Sequence, residues 1–271
     1  MLAKTDTINS WVEAQVSPWR SKTVDVSKLS LLDAAQRDVF YFSFGSDGVA
    51  FRDKPAAPGW WGPHRAKIYR DMLAEAYASH CDGLAFDLAL VAADISTLQT
   101  ELPTFPFQKP LGSPALLLPD VDFLKFRYYT GPEWNDPLPF AEKSNTAAFV
   151  GSTTGAGIIT EAKLHDGNVP RICSALYFKD KSRVIFKLPS LCQYENDAVL
   201  AQLKALELGS ERVSWEEQLK SKILLSMDGN GATCSRVVGA LGSNSVLVKY
   251  YSPHRLYYFD GLRDGEHYIS I

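Results

Sequence analysis

The 271-residue sequence predicts an α/β protein built from two halves, and three observations carry that expectation. Apolar runs of strand length alternate with segments whose apolar residues recur at helical spacing. Two loops rich in glycine and small hydroxyl residues each follow such a run and precede a helical pattern. Eight of the fifteen prolines fall between Pro103 and Pro139, where lost backbone donors forbid a long helix and mark a connector. The expected boundaries are an N-terminal domain over residues 1–140, its last part (about 103–140) the proline-rich connector, and a C-terminal domain over residues 141–271.

In the first half, Val39–Phe44 (VFYFSF) reads as a strand. Arg65–Ser79 reads as a helix with Ile68, Met72, Leu73, Ala76 and Tyr77 on its apolar side. Leu84–Ala93 (LAFDLALVAA) is apolar enough for a strand buried in a parallel sheet, and it ends at Asp94. Strand, helix, strand is the pattern of an open α/β unit. Within the connector, Ala115–Leu118 is expected to be extended.

The second half repeats the pattern. Thr146–Val150 reads as a strand, followed by the small-residue loop Gly151–Gly157 and a helix beginning in Ile158–Leu164. Glu195–Leu208 is a predicted helix with Ala198, Leu200, Leu203 and Leu206 on one side. Lys222–Met227 (KILLSM) is a buried strand, Asp228–Gly231 a sharp turn, and Ala232–Leu241 a helix closed by Gly242. Ser245–Tyr250 supplies the returning strand.

Composition narrows the class. An apolar fraction of 46% with 22% charged residues is that of a globular protein and excludes disordered, collagenous and coiled-coil chains. A net charge of −3 gives no general pull toward nucleic acid, so no nucleic-acid partner is expected. The four cysteines, Cys81, Cys173, Cys192 and Cys234, are far apart, without the density of a disulfide scaffold. Met1–Trp19 carries Asp6 and Glu13 and no continuous apolar core, and no glycosylation sequon occurs. The expectation is a cytoplasmic protein without an integral membrane segment.

Ligands of open α/β sheets bind beyond the carboxyl ends of strands, where loops lead into helix N-termini that attract anions. The loops Gly151–Gly157 and Asp228–Gly231 occupy that position in the pattern. Glycine there lets backbone amides approach a phosphate, although the same composition also makes an ordinary strand-to-helix turn. Neither loop has the P-loop or dinucleotide spacing. Arg236, early in the next helix, suits a diphosphate or simply a helix surface.

Asp94, at the end of an apolar strand, is placed either to abstract a proton or to cap a turn before Ile95 and Ser96. Asp87 lies inside that strand and reads as structural. Asp120 and Asp122 have the D-x-D spacing of metal-dependent transferases, although they lie in the connector. The five histidines show no metal-ligand spacing, and there is no G-x-S-x-G elbow for a serine hydrolase. Trp60, Trp61 and Trp134 fit either sugar stacking or packing.

Two segments resemble glycosyltransferase family 90, the capsule-associated and protein O-glucosyltransferases. AAFVGSTTGAGIITEAKLHDGNVPR looks like that family's F-x-G-S-x-T block. The run from Ser221 to Ile271 looks like its K-Y-L-L-D-x-D-G-x-x-x-S-x-R block and the sequence that follows, with anchors at Lys222, Asp228, Gly229, Asn230, Arg236, Ser243, Lys249, Tyr258, Leu262, His267 and Tyr268. LALVAAD is similar to the strand presenting the family's catalytic aspartate, which puts that role on Asp94. The resemblance covers roughly residues 84–271.

It implies a GT-B architecture, two Rossmann-like domains facing a cleft, and an inverting transfer from a UDP-sugar such as UDP-glucose or UDP-xylose, with no cofactor and no obligatory metal. The acceptor would be a hydroxyl of a glycan or lipid-linked glycan, in lipopolysaccharide or capsule assembly, with the enzyme in the cytoplasm and possible peripheral contact at the inner membrane. The donor-binding set it implies is Gly151, Ser152, Thr153, Thr154, Gly155, Arg171, Asp228, Gly229, Asn230, Gly231, Ser235 and Arg236. This chain departs from the family at Val150, where many relatives carry arginine, and by one extra residue between Gly229 and Arg236. It ends just after the H-Y-I strand, so the family's closing C-terminal helices are expected to be missing. Two further readings stay open: a non-catalytic sugar-nucleotide or glycan-binding protein, and a metal-dependent transferase using Asp120 and Asp122.

Overall fold

The computed structural model describes residues 5–81, 83–94, 98, 101–125, 136–232 and 234–271. The chain is α/β and divides into two compact units, the first made of Met1–Tyr129 and Pro253–Gly261, the second of Thr130–Ser252 and Leu262–Ile271. Among the described residues no helix is long and apolar enough to cross a membrane.

The first unit holds helices α1 (Thr5–Val16), α2 (Ser27–Ala35), α3 (Gly62–His80) and α4 (Val121–Lys125). Its main sheet is built from β1 (Val39–Gly45), β2 (Gly48–Phe51), β3 (Phe86–Val91) and β4 (Thr104–Pro106), in the order β2-β1-β3-β4. Strand β1 alternates inward phenylalanines, and Phe40 and Phe42 are fully buried. Phe42 pairs with Leu88 across an antiparallel β1–β3 ladder.

That ladder corrects the expected parallel strand–helix–strand unit. The cause is a short hairpin: Ser46-Asp47 turns the chain, Gly48 takes φ +93°, and β2 runs back antiparallel along β1. Helix α3 therefore crosses from β2, not from β1, to β3. Because β2 is reversed, β3 is reversed with it. Parallel pairing appears only between β3 and β4.

Helix α3 begins earlier than expected, with Pro63 in its first turn, where the missing N–H costs nothing. Its buried positions are Gly62, Pro63, Ala66, Tyr69 and Tyr77, while Ala76 is exposed and Ile68, Met72 and Leu73 are half-buried. The Tyr69 hydroxyl donates to the Pro119 carbonyl at 2.6 Å, a bond that draws the buried face around toward tyrosine.

The stretch expected to be a connector also contributes structure to this unit. Thr104–Pro106 joins the main sheet, and β5 (Gln108–Pro110) pairs antiparallel with β10 (His254–Leu256). Residues 115–118 form no strand, but Leu116 and Leu118 donate to the Thr104 and Pro106 carbonyls at 2.8 and 2.9 Å. Proline is tolerated here because these strands are short and paired on few residues.

The second unit is a five-stranded, wholly parallel sheet in the order β11-β9-β8-β6-β7. Its strands are β6 (Ser144–Ser152), β7 (Val184–Ser190), β8 (Ser221–Ser226), β9 (Val246–Lys249) and β11 (Ile269–Ser270). Helices α5 (Glu161–His165) and α6 (Pro170–Phe178) connect β6 to β7, α7 (Asp197–Ala205) and α8 (Trp215–Leu219) connect β7 to β8, and α9 (Cys234–Leu241) connects β8 to β9. Phe149, Ile159, Leu188 and Leu203 are among the fully buried residues of its core.

Caps set the helix starts. The Thr160, Asn196 and Ser214 side chains accept from Lys163, Val199 and Glu217 N–H, fixing the first turns of α5, α7 and α8. The helix expected from Ile158 therefore begins at Glu161. Ile159 forms an isolated parallel bridge with Tyr194 and Thr160 is extended instead, and Ile159 N–H bonds the Gln193 carbonyl at 2.6 Å.

Candidate functional site

From β6 the chain moves to one side to form β7, then returns past β6 to form β8. The loops leaving β6 and β8 thus diverge at the point where the strand order reverses. In open parallel sheets that is where a crevice forms beyond the carboxyl ends of the strands. Both glycine-rich loops lie there, as the continuations of β6 and β8.

Gly151 and Ser152 are the last residues of β6, and the ladder with β7 shifts register between Val150 and Ser152. Thr153 is fully buried. Its hydroxyl donates to the Cys192 carbonyl at 2.8 Å and accepts from Cys192 N–H at 2.9 Å, so it clamps the loop to the one leaving β7. Thr154 Oγ1 lies 3.0 Å from Ser152 Oγ.

Arg171, in the first turn of α6, holds the two glycine loops together. Its Nη1 donates to the Ser152 carbonyl at 3.1 Å and to Thr154 Oγ1 at 2.8 Å, its Nη2 to the Met227 carbonyl at 2.8 Å, and its Nε to the Asp228 carbonyl at 3.0 Å. Residue exposure is 5%, and burial pushes the guanidinium down to about 10 against the opposing pull of Asp228.

The glycines answer to this packing. A Cβ on Gly229 would lie 2.7 Å from Thr154 Oγ1 and 2.9 Å from Arg171 Nη2, and Gly155, at φ +115°, packs against the Asp228 and Gly229 carbonyls. Gly229 N–H donates to the Gly231 carbonyl at 3.1 Å, closing the second turn, and Asn230 lies at its tip. Ser235 and Arg236 belong to the first turn of α9.

Arg236 donates from Nη1 to Gln218 Oε1 at 3.1 Å and from Nη2 to the Val150 carbonyl. Its guanidinium carbon lies 4.7 Å from the centroid of the Phe149 ring, and that of Arg171 lies 5.2 Å from the same ring. Burial first, and the Arg171 cation second, push Arg236 down to about 10. The side chain is therefore not the free helix-surface arginine that the sequence left open.

Asp228 is the carboxylate of this cluster. Its Oδ2 accepts from the Ser252 hydroxyl at 2.5 Å, and Lys249 Nζ lies 3.4 Å from Oδ1. Lys249 and Ser252 were not marked as site residues by the sequence. A charge closing the apolar strand Val246–Lys249 was the available signal, since a lysine 5% exposed needs a partner. Lys249 pairs with the Asp228 carboxylate, Arg171 bonds the Asp228 carbonyl, and Arg236 bonds the Val150 carbonyl, so three cations and one carboxylate lie at the ends of these strands.

Asp94 follows β3 in the first unit, with its side chain 44% exposed. Arg65 Nη2 donates to its Oδ1 at 2.5 Å, and Arg65 Nη1 donates to the Ala92 carbonyl at 2.9 Å. Arg65, one turn into α3, thereby fixes both the end of the strand and the carboxylate. The two residues lie twenty-nine positions apart, a separation at which no local pattern links them. Ile95 and Ser96, before which Asp94 could cap a turn, lie outside the described residues, as does Trp134.

Asp120 caps α4: its Oδ1 accepts from Phe123 N–H at 3.0 Å, and the residue is 2% exposed. Among the described residues no three His, Cys, Asp or Glu side chains are grouped to hold a metal ion. Burial, with a smaller contribution from Asp122, pushes the Asp120 carboxyl up to about 6. Because the folded value lies above the unfolded one, Asp120 destabilises the fold as pH rises from about 4 to 6, by about 2–3 kcal/mol once ionised. Urea denaturation at pH 4.5 and 7 is expected to show Asp120→Asn removing that part of the stability loss.

No protein-family model and no curated protein sequence matches the chain.

Proposed function

We propose that the second unit binds the diphosphate of a UDP-sugar at the paired loops, and that the protein is an inverting glycosyltransferase of the GT-B type. The carrying observation is that three cations, Arg171, Arg236 and Lys249, and one carboxylate, Asp228, lie at the strand ends beside the two glycine-rich loops, at the strand-order reversal of a parallel sheet. Arg171, Ser152, Thr153, Gly155 and Gly229 hold the loops in shape. Thr154, Gly151, Asn230, Gly231 and Ser235 supply backbone and hydroxyl donors to the phosphates, and Arg236 supplies charge. The resemblance to family 90 gives the uridine base and the sugar donor.

In the proposed reaction Asp94 takes the proton from an acceptor hydroxyl as its oxygen forms a bond to the anomeric carbon. The bond from that carbon to the phosphate oxygen breaks, and its electron pair leaves on UDP. The products are the glycoside, UDP and protonated Asp94, which returns its proton to solvent. Charge building on the leaving diphosphate is stabilised by the cations already fixed in the second unit.

A metal-dependent route through Asp120 and Asp122 is disfavoured by Asp120's place as a buried helix cap. One observation favours binding without turnover: Arg65 already occupies one oxygen of Asp94 at 2.5 Å. UDP release measured over a panel of UDP-sugars, with glycan acceptors, tests the transferase reading. Release in EDTA with at least one donor supports it; release only with added manganese supports the metal route instead; no release with any pair supports binding alone.

A further inference from the structure

A charged side chain set into a fold ordinarily meets an opposite charge, because its lost hydration has to be replaced. Among the described residues Arg236 bonds neutral groups alone. Its Nη1 donates to Gln218 Oε1 at 3.1 Å and its Nη2 to the Val150 carbonyl. Two aromatic rings lie against it, Phe149 with its centroid 4.7 Å from the guanidinium carbon and Trp215 at 5.7 Å. Each attracts the cation through its π face without cancelling the charge. The two hydrogen bonds occupy two of the five N–H groups that a guanidinium carries.

Gln218 is arranged to hold that arginine in one orientation. It is 5% exposed, and its Nε2 donates to the Val213 and Ser214 carbonyls at 3.3 and 3.4 Å, at the start of α8. Those bonds fix which end of the amide faces Arg236. Flipped, the amide would set its NH2 against the guanidinium and its oxygen against two carbonyls.

Carboxylates stand on the same helix and are used elsewhere. Glu217 pairs with Lys220 at 2.5 Å, and the Ser214 hydroxyl lowers the pKa of the exposed Glu216 carboxyl. In the second glycine loop, Asp228 takes Lys249 and the Ser252 hydroxyl. A glutamate at 218 would have the same size, reach the same guanidinium and cancel its charge. The residue at this position therefore decides whether Arg236 is an internal ion pair or a cation open to an anionic ligand.

We propose that Gln218 is a positioning residue of the anion site: its neutral amide oxygen orients the Arg236 guanidinium without neutralising it, so that the charge is left for the phosphate groups of the ligand. This rests on the diphosphate reading and adds to it the means by which the site keeps its charge.

Calorimetric titration of UDP into the full chain in EDTA tests the role, comparing the parent with Gln218→Glu and Gln218→Met, the latter also in an Arg236→Leu background, with melting temperatures measured alongside. Gln218→Glu is expected to bind UDP at least about tenfold more weakly while melting no lower than the parent, because the introduced carboxylate neutralises Arg236 in place. Gln218→Met keeps the length and loses the acceptor. It is expected to weaken UDP binding about three- to tenfold in the parent and not at all where Arg236 is replaced by leucine. Parental UDP affinity in Gln218→Glu, or an equal loss from Gln218→Met with and without Arg236, overturns the positioning role. No UDP binding by the parent would instead overturn the diphosphate reading, so the two failures are distinguishable.

Discussion

Arg171→Met is expected to unfold the second unit at markedly lower urea concentration than the parent, with a stability loss of about 3–5 kcal/mol. The guanidinium makes four strong bonds to three carbonyls and a hydroxyl on two different loops. Methionine fills much of the volume and donates nothing, so buried acceptors at Ser152, Met227 and Asp228 lose their donor. Each such acceptor costs about 1–3 kcal/mol, in part recovered by local relaxation. Arg171→Lys is expected to recover little, because a point charge cannot reach acceptors arranged around a planar fork. A loss under about 1 kcal/mol for Arg171→Met would mean that the loops hold their shape without it.

Asp94→Asn is expected to leave the melting temperature and UDP affinity near the parental values and to lower the rate of acceptor-dependent UDP release by about 10²–10⁴-fold. The amide keeps the size of the carboxylate and its bond to Arg65 through the carbonyl oxygen, but it cannot take a proton. Its side chain is half exposed, so little stability depends on it. Initial-rate measurements at saturating donor check the prediction. Equal rates in parent and variant would remove Asp94 from the reaction and leave the base unassigned.

Strand and helix positions were largely legible because each depends on local pattern. Val39–Phe44, Lys222–Met227 and Asp197–Ala205 all lie where apolar periodicity put them, with ends moved by caps such as Asn196. Strand direction was not legible. The four residues Gly48–Phe51 form too short a run to register as a strand, yet they reverse everything after them in the first sheet.

The site divides in the same way. Glycine-rich loops after apolar strands can be seen in a sequence, but not that Arg171 bridges them, because that depends on where α6 lands on the sheet. Likewise the order β7-β6-β8, which sets two ordinary loops at a strand-order reversal, is a property of long-range pairing. Lys249 was visible as a charge closing an apolar strand, and only Asp228 beside it gives that charge a meaning.

The central claim is that the cations at the two glycine-rich loops receive a nucleoside diphosphate. Calorimetric titration of UDP into the full chain in EDTA tests it most directly, with Arg236→Leu titrated in parallel. The account predicts one UDP bound per chain without metal, and affinity at least about tenfold weaker in Arg236→Leu. No binding by the parent, or equal affinity in parent and variant, would contradict it.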